Sequence, residues 1–321
     1  MLMNPKYPIY IISKGRWDLP KGTHAHLTRM NVDFFIVVEE HEYEQYSKHI
    51  DKEKLLILPK KYLEEYDTFW EKDVNQSTGP GAARNFCWDH AISLNASRHW
   101  VMDDNIYGFF RFNRNSIYLV ETGAMFRAME DFVDRYENVA IAGPNYQKFI
   151  VTNEKYLPFR KNIRIYSCLL IKNDLPFRWR GRYNEDTDLC LNALKLNYCT
   201  IQFNAFLQEK ITTQRISGGN TAEFYAQEGT YNKSKMLVDM HPDVTSLVWR
   251  FDRWHHEVYY DVFKKIPLIR KKDIEVLKRI NNYEMTLVDS ETNEVIGPSL
   301  EESPHKQNIT KAKESFQKSL F

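Results

Sequence analysis

The sequence predicts an α/β protein with a mixed, mainly parallel sheet and helices on both faces, extended at its C-terminal side by a helical segment. Three observations lead there. Short apolar runs alternate with amphipathic stretches through the first two thirds of the chain, the pattern of strand–helix–strand units. Most runs are too short for helices and are closed by Gly, Pro, Asp or Asn. Several end directly in a polar cluster, and sheets of this kind bind ligands at the carboxyl ends of their strands.

In chain order, residues 7–13 (YPIYIIS) read as a buried strand closed by Gly15, and residues 24–31 (HAHLTRMN) as a helix. DFFIVVE, from Asp33, is a second strand. A polar helix over EEHEYEQYSKHI and a third strand, LLILP ending at Pro59, come next. A helix starts near Pro80, where a first-turn proline costs little because that N–H has no helical acceptor. HWVM, 99–102, runs straight into Asp103, Asp104 and Asn105. Further strands are expected at 138–142, 163–171 and 199–203, with a helix over 184–196 between the last two. The later segment SLVWRFDRWHHEVYYDVFKK reads as an aromatic, basic helix, and from Ser290 the chain is polar, a loosely held tail. The domain reading is thus 1–240 for the sheet domain, 241–289 for the helical extension and 290–321 for the tail.

A net charge of +1 over 321 residues gives no whole-chain attraction to nucleic acid or membrane, so a charged partner must be held by a local patch. With 43% apolar and 14% aromatic residues, the chain can bury a substantial core, which excludes disorder over most of its length. Cys87, Cys168, Cys190 and Cys199 have no C-x-x-C spacing and read as buried, reduced thiols rather than zinc ligands or disulfides. No secretory leader pattern opens the chain, and no apolar run reaches the ~18 residues of a membrane span. The expectation is a soluble, cytoplasmic protein.

Five segments carry candidate chemistry. In VMDDN, two adjacent carboxylates at a buried strand's tip repel unless a positive group lies between them; Mg²⁺ or Mn²⁺ shared with a diphosphate would supply it. The plainer alternative is that Asp103 and Asp104 begin a turn. In TGPGAARNFCWDHAI, Gly81 precedes a helix whose N-terminus favours an anion, and Arg84 and Asn85 lie on its first turns; an ordinary helix entry with Arg84 in a salt bridge is the alternative. In RGRYNEDTDLCLNALKL, Glu185, Asp186 and Asp188 sit in a helix's first turn, where carboxylates are favoured by the macrodipole and where one of them could accept a proton. Ser13, Lys14, Gly15 and Arg16 follow the first strand and Glu39 and Glu40 the second, at a sheet edge able to hold a base and ribose. Cations interleave with aromatics in FRKNIR (159–164), in FRWRGR with Arg178, Arg180 and Arg182, and around His255 and His256, a combination suited to phosphate contacts and base stacking. Core packing and a solvated surface would explain the same residues, and His241 is a weak further metal ligand.

YIISKGR, FFIVVEEHEYEQY, LLILP, GPGAARNFCWDHA, WVMDDNI, RGRYNEDTDLCL and RWHHEVYYDVF, in this order and spacing, resemble the GT-A glycosyltransferases over residues 7–265. The resemblance is to one branch in particular, the phage TET/JBP-associated DNA glycosyltransferases, relatives of which form a domain in a eukaryotic estrogen-induced growth regulator. It implies a Rossmann-like nucleotide-sugar-binding sheet, a UDP-sugar donor and a divalent metal, Mn²⁺ or Mg²⁺. The implied acceptor is the hydroxymethyl group of 5-hydroxymethylcytosine, or a related pyrimidine, in phage DNA inside an infected bacterial host. By position, Asp103 and Asp104 match the acidic metal motif, and Asp186 with Glu185 the acceptor-side acid. Ser13, Arg16, Glu39, Arg84 and Asn85 match the donor-binding edge, to which Lys14, Gly15, Gly81 and Asp103 are added. The metal motif here is Asp-Asp-Asn rather than Asp-x-Asp, so either carboxylate could be the direct ligand. Arg178, Arg180, Arg182, His255 and His256 are the expected acceptor contacts. Rival readings are a protein O-glycosyltransferase of the same fold, a sugar-nucleotide nucleotidyltransferase, for which SKGRWDLPKG is a poor triphosphate loop, and a non-catalytic DNA-binding module.

Overall fold

The computed structural model describes residues 4–19, 21–70, 77–113, 115–152, 154–210 and 230–274. The first strands are β1 (Ile9–Ile12), β2 (Phe35–Val38) and β3 (Leu55–Ile57), with helices α1 (Thr23–Arg29), α2 (Tyr43–Tyr46) and α3 (Lys60–Glu65) among them. Helix α4 (Gly81–Ser93) leads into β4 (Arg98–Asp103), and β5 (Ile106–Asn113) and β6 (Ser116–Leu119) form a hairpin. There follow α5 (Ala124–Val133), β7 (Val139–Tyr146), β8 (Phe159–Lys161), β9 (Cys168–Lys172), α6 (Glu185–Lys195) and β10 (Cys199–Lys210). Helix α7 (Tyr231–Met240), strands β11 (Thr245–Arg250) and β12 (Arg253–Val258) and a 3₁₀ turn, Tyr260–Phe263, complete the described elements.

Ten strands form one sheet in the order β3-β2-β1-β4-β9-β7-β10-β5-β6, with β8 pairing β10. β1, β2, β3 and β4 run parallel, as do β7 and β10, while β9 is antiparallel between β4 and β7. Alternation along the strands divides the core in two. Ile9, Ile11, Trp100, Met102 and Leu170 pack against α1 and α5 on one face. Tyr10, Val101, Leu169 and Ile171 pack against α4 and α6, with Trp88 and Leu189, on the other. The expected α/β architecture with helices on both faces is present. All four cysteines are buried and free, and no helix of the described residues is long and apolar enough to cross a membrane.

Four local expectations are corrected. EEHEYEQYSKHI does not form one helix; it breaks into a 3₁₀ turn, Glu40–Glu42, and the single turn α2, because Tyr46 is drawn under β1, where its hydroxyl meets Ser13 Oγ and the Arg16 N–H. The strand expected over 163–171 begins only at Cys168, since Ser167 takes a left-handed φ of 61° and turns the preceding residues away. β10 runs on to Lys210 rather than stopping at 203, held by antiparallel pairing with β5. The supposed helix at the start of the 241–289 extension is a β-hairpin, β11 and β12, its strands in register from Thr245–Val258 to Arg250–Arg253. Residues 275–321, which include the rest of the extension and the polar tail, lie outside the described residues.

Candidate active site

β4 ends at Asp103, and alternation decides where its carboxylate goes. Val101 faces the α4/α6 side and Met102 the α1/α5 side, so Asp103 joins Val101, and Asp104 turns the other way. Thr23 fixes the turn: its N–H donates to the Asp104 carbonyl at 2.9 Å and its hydroxyl to the Asp103 carbonyl at 2.5 Å.

On the α4/α6 side, Arg84 projects from the second turn of α4 and donates to Asp103 Oδ1 at 2.9 Å and to Glu185 Oε1 at 2.7 Å. Its guanidinium stacks 4.6 Å from the Trp179 ring centroid, and its side chain is only 4% exposed. Lys210, at the end of β10, donates to the other Asp103 oxygen at 2.5 Å and to Ser167 Oγ at 3.0 Å. Burial opposes the charge on Asp103, but Lys210 and Arg84 together hold its carboxyl well below the usual range. Glu185 and Asp186 open α6. Burial pushes Glu185 up to about 7, against the pull of Arg84 and with the help of Asp186. Burial likewise raises Asp186, with Arg84 opposing and Asp103 adding. In the first turn of α6 the Asp186 carboxylate accepts the N–H of its neighbour Thr187 at 2.7 Å, and among the described residues it forms no salt bridge.

On the opposite side, Asp104 accepts from Arg16 at 2.6 Å and from Ser13 at 2.7 Å. Burial outweighs both and raises its pKa. Gly15, at φ 65°, gives its N–H to Glu42 at 2.7 Å, and Lys14 pairs with Glu39 at 3.1 Å. Ser13, Lys14, Gly15, Arg16 and Glu39 are therefore gathered at the carboxyl ends of β1 and β2, beside the tip of β4.

The two acidic neighbours do not share a cation: Asp103 faces Arg84 and Lys210, Asp104 faces Arg16. Asp103 oxygens suit a hard divalent ion, which takes one or two carboxylates and completes its shell with phosphate oxygens and water. Among the described residues no three His, Cys, Asp or Glu groups gather so as to hold one, and the two Asp103 oxygens are engaged by Arg84 and Lys210. His241 is engaged elsewhere, its Nε2 2.8 Å from the buried Asp188.

Several other expected site residues are held by contacts within the fold. The Asn85 amide exchanges two hydrogen bonds with the Trp179 backbone, at 2.9 and 3.0 Å, which pins the 175–183 loop over α4. Gly81 is required by Tyr66, whose hydroxyl fills the space of a side chain there and donates to the Gly181 carbonyl at 2.8 Å. Arg178 lies over Trp88 and donates to the Leu175 and Phe177 carbonyls. Arg180 pairs with Asp188 at 3.1 Å, and Arg182 donates to the Ser77 carbonyl at 2.8 Å. His255 and His256 stand on β12 and line a cavity with Arg160, Arg164 and Tyr166. Burial keeps His256 neutral by lowering its pKa to about 4, with Arg164 adding.

Three participants were not anticipated from the sequence: Lys210, Ser167 and Tyr146, whose hydroxyl lies 2.8 Å from Ser167 Oγ. The basic end of a strand beside an acidic strand tip was the only available signal, and it required knowing that β10 continues past 203.

The profile of the TET-associated glycosyltransferase family matches residues 7–219. That span takes in every residue of the ion-pair network and stops before the β11–β12 hairpin. No curated protein matches the chain.

Proposed function

Because the chain belongs to the TET-associated glycosyltransferase family, it is a glycosyltransferase using a nucleotide-sugar donor, and we propose that it moves a sugar from a UDP-sugar to the hydroxymethyl group of 5-hydroxymethylcytosine, or a related hydroxymethylpyrimidine, in phage DNA within an infected bacterial cytoplasm. The observation that carries this reading is the single network Lys210–Asp103–Arg84–Glu185, which joins the tip of β4, the start of α4 and the start of α6.

In this reading the nucleoside lies along Ser13, Lys14, Gly15, Arg16 and Glu39, and the diphosphate reaches Lys210. Lys210 is the more accessible cation, with 17% of its side chain exposed against 4% for Arg84. As the bond from the anomeric carbon to the phosphate oxygen breaks, negative charge grows on the nucleoside diphosphate, and Lys210, backed by Arg84, stabilises it in a site where water is scarce. A Mn²⁺ or Mg²⁺ ion at Asp103 would add positive charge at the same place. The acceptor hydroxyl forms the new bond to the anomeric carbon and gives its proton to Asp186, whose raised pKa makes it a better base than an exposed aspartate.

The test combines the protein with UDP-glucose, UDP-N-acetylglucosamine or UDP-galactose, Mn²⁺ or Mg²⁺, and DNA containing 5-hydroxymethylcytosine, followed by nucleoside digestion and mass measurement. A hexosyl or N-acetylhexosaminyl increment on the modified base is expected, lost in Asp103→Asn and Asp186→Asn proteins that remain folded. Transfer surviving both substitutions would move the site elsewhere. Product on a protein hydroxyl and none on DNA would reject the acceptor, and pyrophosphate in place of UDP would mean nucleotidyl transfer.

A further inference from the structure

The tip of the β11–β12 hairpin is built against ordinary preference. Arg250 and Arg253 are the last paired residues, so the turn consists of Phe251 and Asp252 alone, at φ 51° and 56°. Two-residue turns with both φ positive favour Asn-Gly or Gly-Gly, because a bulky side chain is strained there. Phe251 sits there with 86% of its surface exposed, and Trp249 beside it is 57% exposed. Among the described residues its one ring contact is edge-on to His255, with centroids 6.2 Å apart. A strained backbone holding an apolar ring out in water, between two arginines, presents that ring to something other than the protein's own core.

Behind the tip lies a cavity of about 500 Å³, walled on the sheet side by Tyr146, Tyr166, Arg164 and Gln202 and on the hairpin side by Arg250, Phe251 and His256. Its volume falls within the range of sites that enclose a small molecule. Tyr146 and Tyr166 stack nearly parallel, at 24° and 6.1 Å. Arg164 lies 4.6 Å from the Tyr166 ring centroid, and neither it nor Arg160 forms a salt bridge among the described residues. Tyr260, on the same wall, has a buried hydroxyl with no hydrogen-bond partner. The Gln202 amide makes only a 3.5 Å contact to the Arg164 carbonyl. Cations, aromatic faces and unused polar groups in one recess match a nucleotide: phosphates outside, a flat base with hydrogen-bonding edges within.

One wall of the cavity is linked to the ion-pair network. Tyr146 reaches Asp103 through Ser167 and Lys210, in steps of 2.8, 3.0 and 2.5 Å, and Asp186 lies within electrostatic range of Tyr146, Tyr166, Tyr260 and Arg164. In the sheet, β4 and its Asp103 separate β7 and β10, which line the cavity, from β1 and β2, which carry the donor edge. The cavity is thus on the acceptor side.

We infer that the hairpin and cavity form a base-extrusion device: Phe251 enters the duplex stack in place of the acceptor pyrimidine, and the cavity receives the displaced base. The inference rests on the DNA-acceptor reading given above. A base inside a duplex cannot reach a carboxylate recessed at a sheet's edge, so it must leave the stack, and an apolar wedge filling the gap offsets part of the unstacking. The hairpin lies beyond the residues that the family profile matches.

The test uses the full chain in two measurements. Without sugar donor, a duplex carrying fluorescent pyrrolocytosine at the acceptor position is expected to brighten on binding wild-type protein, and to do so much less with Phe251→Ala at saturating protein. With donor present, the ratio of kcat/KM on duplex to kcat/KM on the same sequence as a single strand is expected to fall roughly tenfold in Phe251→Ala. A bound duplex that does not brighten overturns the inference, as does a Phe251→Ala ratio equal to wild type. Brightening without sugar transfer would keep the extrusion device and reject the DNA-glycosylation reading. Transfer to DNA with an unchanged ratio would do the reverse, and docking of the Phe251 tip on a protein acceptor would reject both.

Discussion

Lys210 is placed where one ammonium can both neutralise Asp103 and meet a leaving phosphate. Removing a single preorganised donor of this kind typically lowers turnover by about 10²-fold to 10³-fold. Lys210→Met is therefore expected to reduce kcat/KM for sugar transfer by at least ~10²-fold, with Lys210→Arg recovering part of it; steady-state UDP release on hydroxymethylated DNA measures both. A substitution with no effect would remove Lys210 from the reaction. Asp103, Arg84 and Glu185 were legible in the sequence because each sits at an element's end, where a strand tip or helix start announces itself. Lys210 was not, because its position depends on β5 pairing with β10 from a hundred residues away. Ser167 was hidden for a related reason: its left-handed backbone is imposed by the strand junction, not by any residue preference.

At the scale of elements, Glu130 of α5 is the clamp between helix and sheet. It accepts the Lys6 N–H at 2.7 Å, the Tyr7 N–H at 3.4 Å and the Trp100 indole N–H at 2.8 Å, joining the entry to β1, the middle of β4 and α5. Burial raises its pKa to about 7 despite those donors. The folded protein then binds a proton more tightly than the unfolded chain, so this group's contribution to stability is full below about pH 4.5 and declines as pH rises through 7. The difference amounts to roughly 3 kcal/mol at most. Between pH 5 and 8 the wild-type melting temperature is expected to fall, and Glu130→Gln to flatten that slope; equal slopes would show that Glu130 titrates normally. The same scale holds the clearest misreading. Residues 245–258 carry aromatics and cations that suit a helix face, and the Phe251-Asp252 turn lacks the glycine or asparagine that marks a tight hairpin. A tip shaped for an outside partner erases its own turn signal.

For the whole molecule, strand–helix alternation was enough to place an α/β sheet with helices on both faces, because each unit is local. The insertion of β9 between β4 and β7, antiparallel to both, was not readable, since nothing nearby in the sequence records which distant strands will flank it. That insertion brings Ser167 beside Asp103, whose N–H donates to the Ser167 carbonyl at 2.8 Å. Donor binding across this junction should stabilise the fold as a unit. UDP with Mn²⁺ at a hundred times its Kd is expected to add roughly 2.7 kcal/mol, read as a higher melting temperature. Chelation should remove part of the increment, and Asp103→Asn the metal-dependent part entirely. An increment indifferent to both would detach the ion from Asp103.

Arg84 gives one guanidinium to two clients, Asp103 on the nucleotide side and Glu185 on the base side. A diphosphate drawing on that charge leaves Glu185 less well compensated, so its appetite for hydrogen ions grows. Loading the first substrate is thereby coupled to protonation of Glu185, and calorimetric titration with UDP near neutrality should register net proton uptake, read as an observed heat that varies with the buffer's ionisation enthalpy.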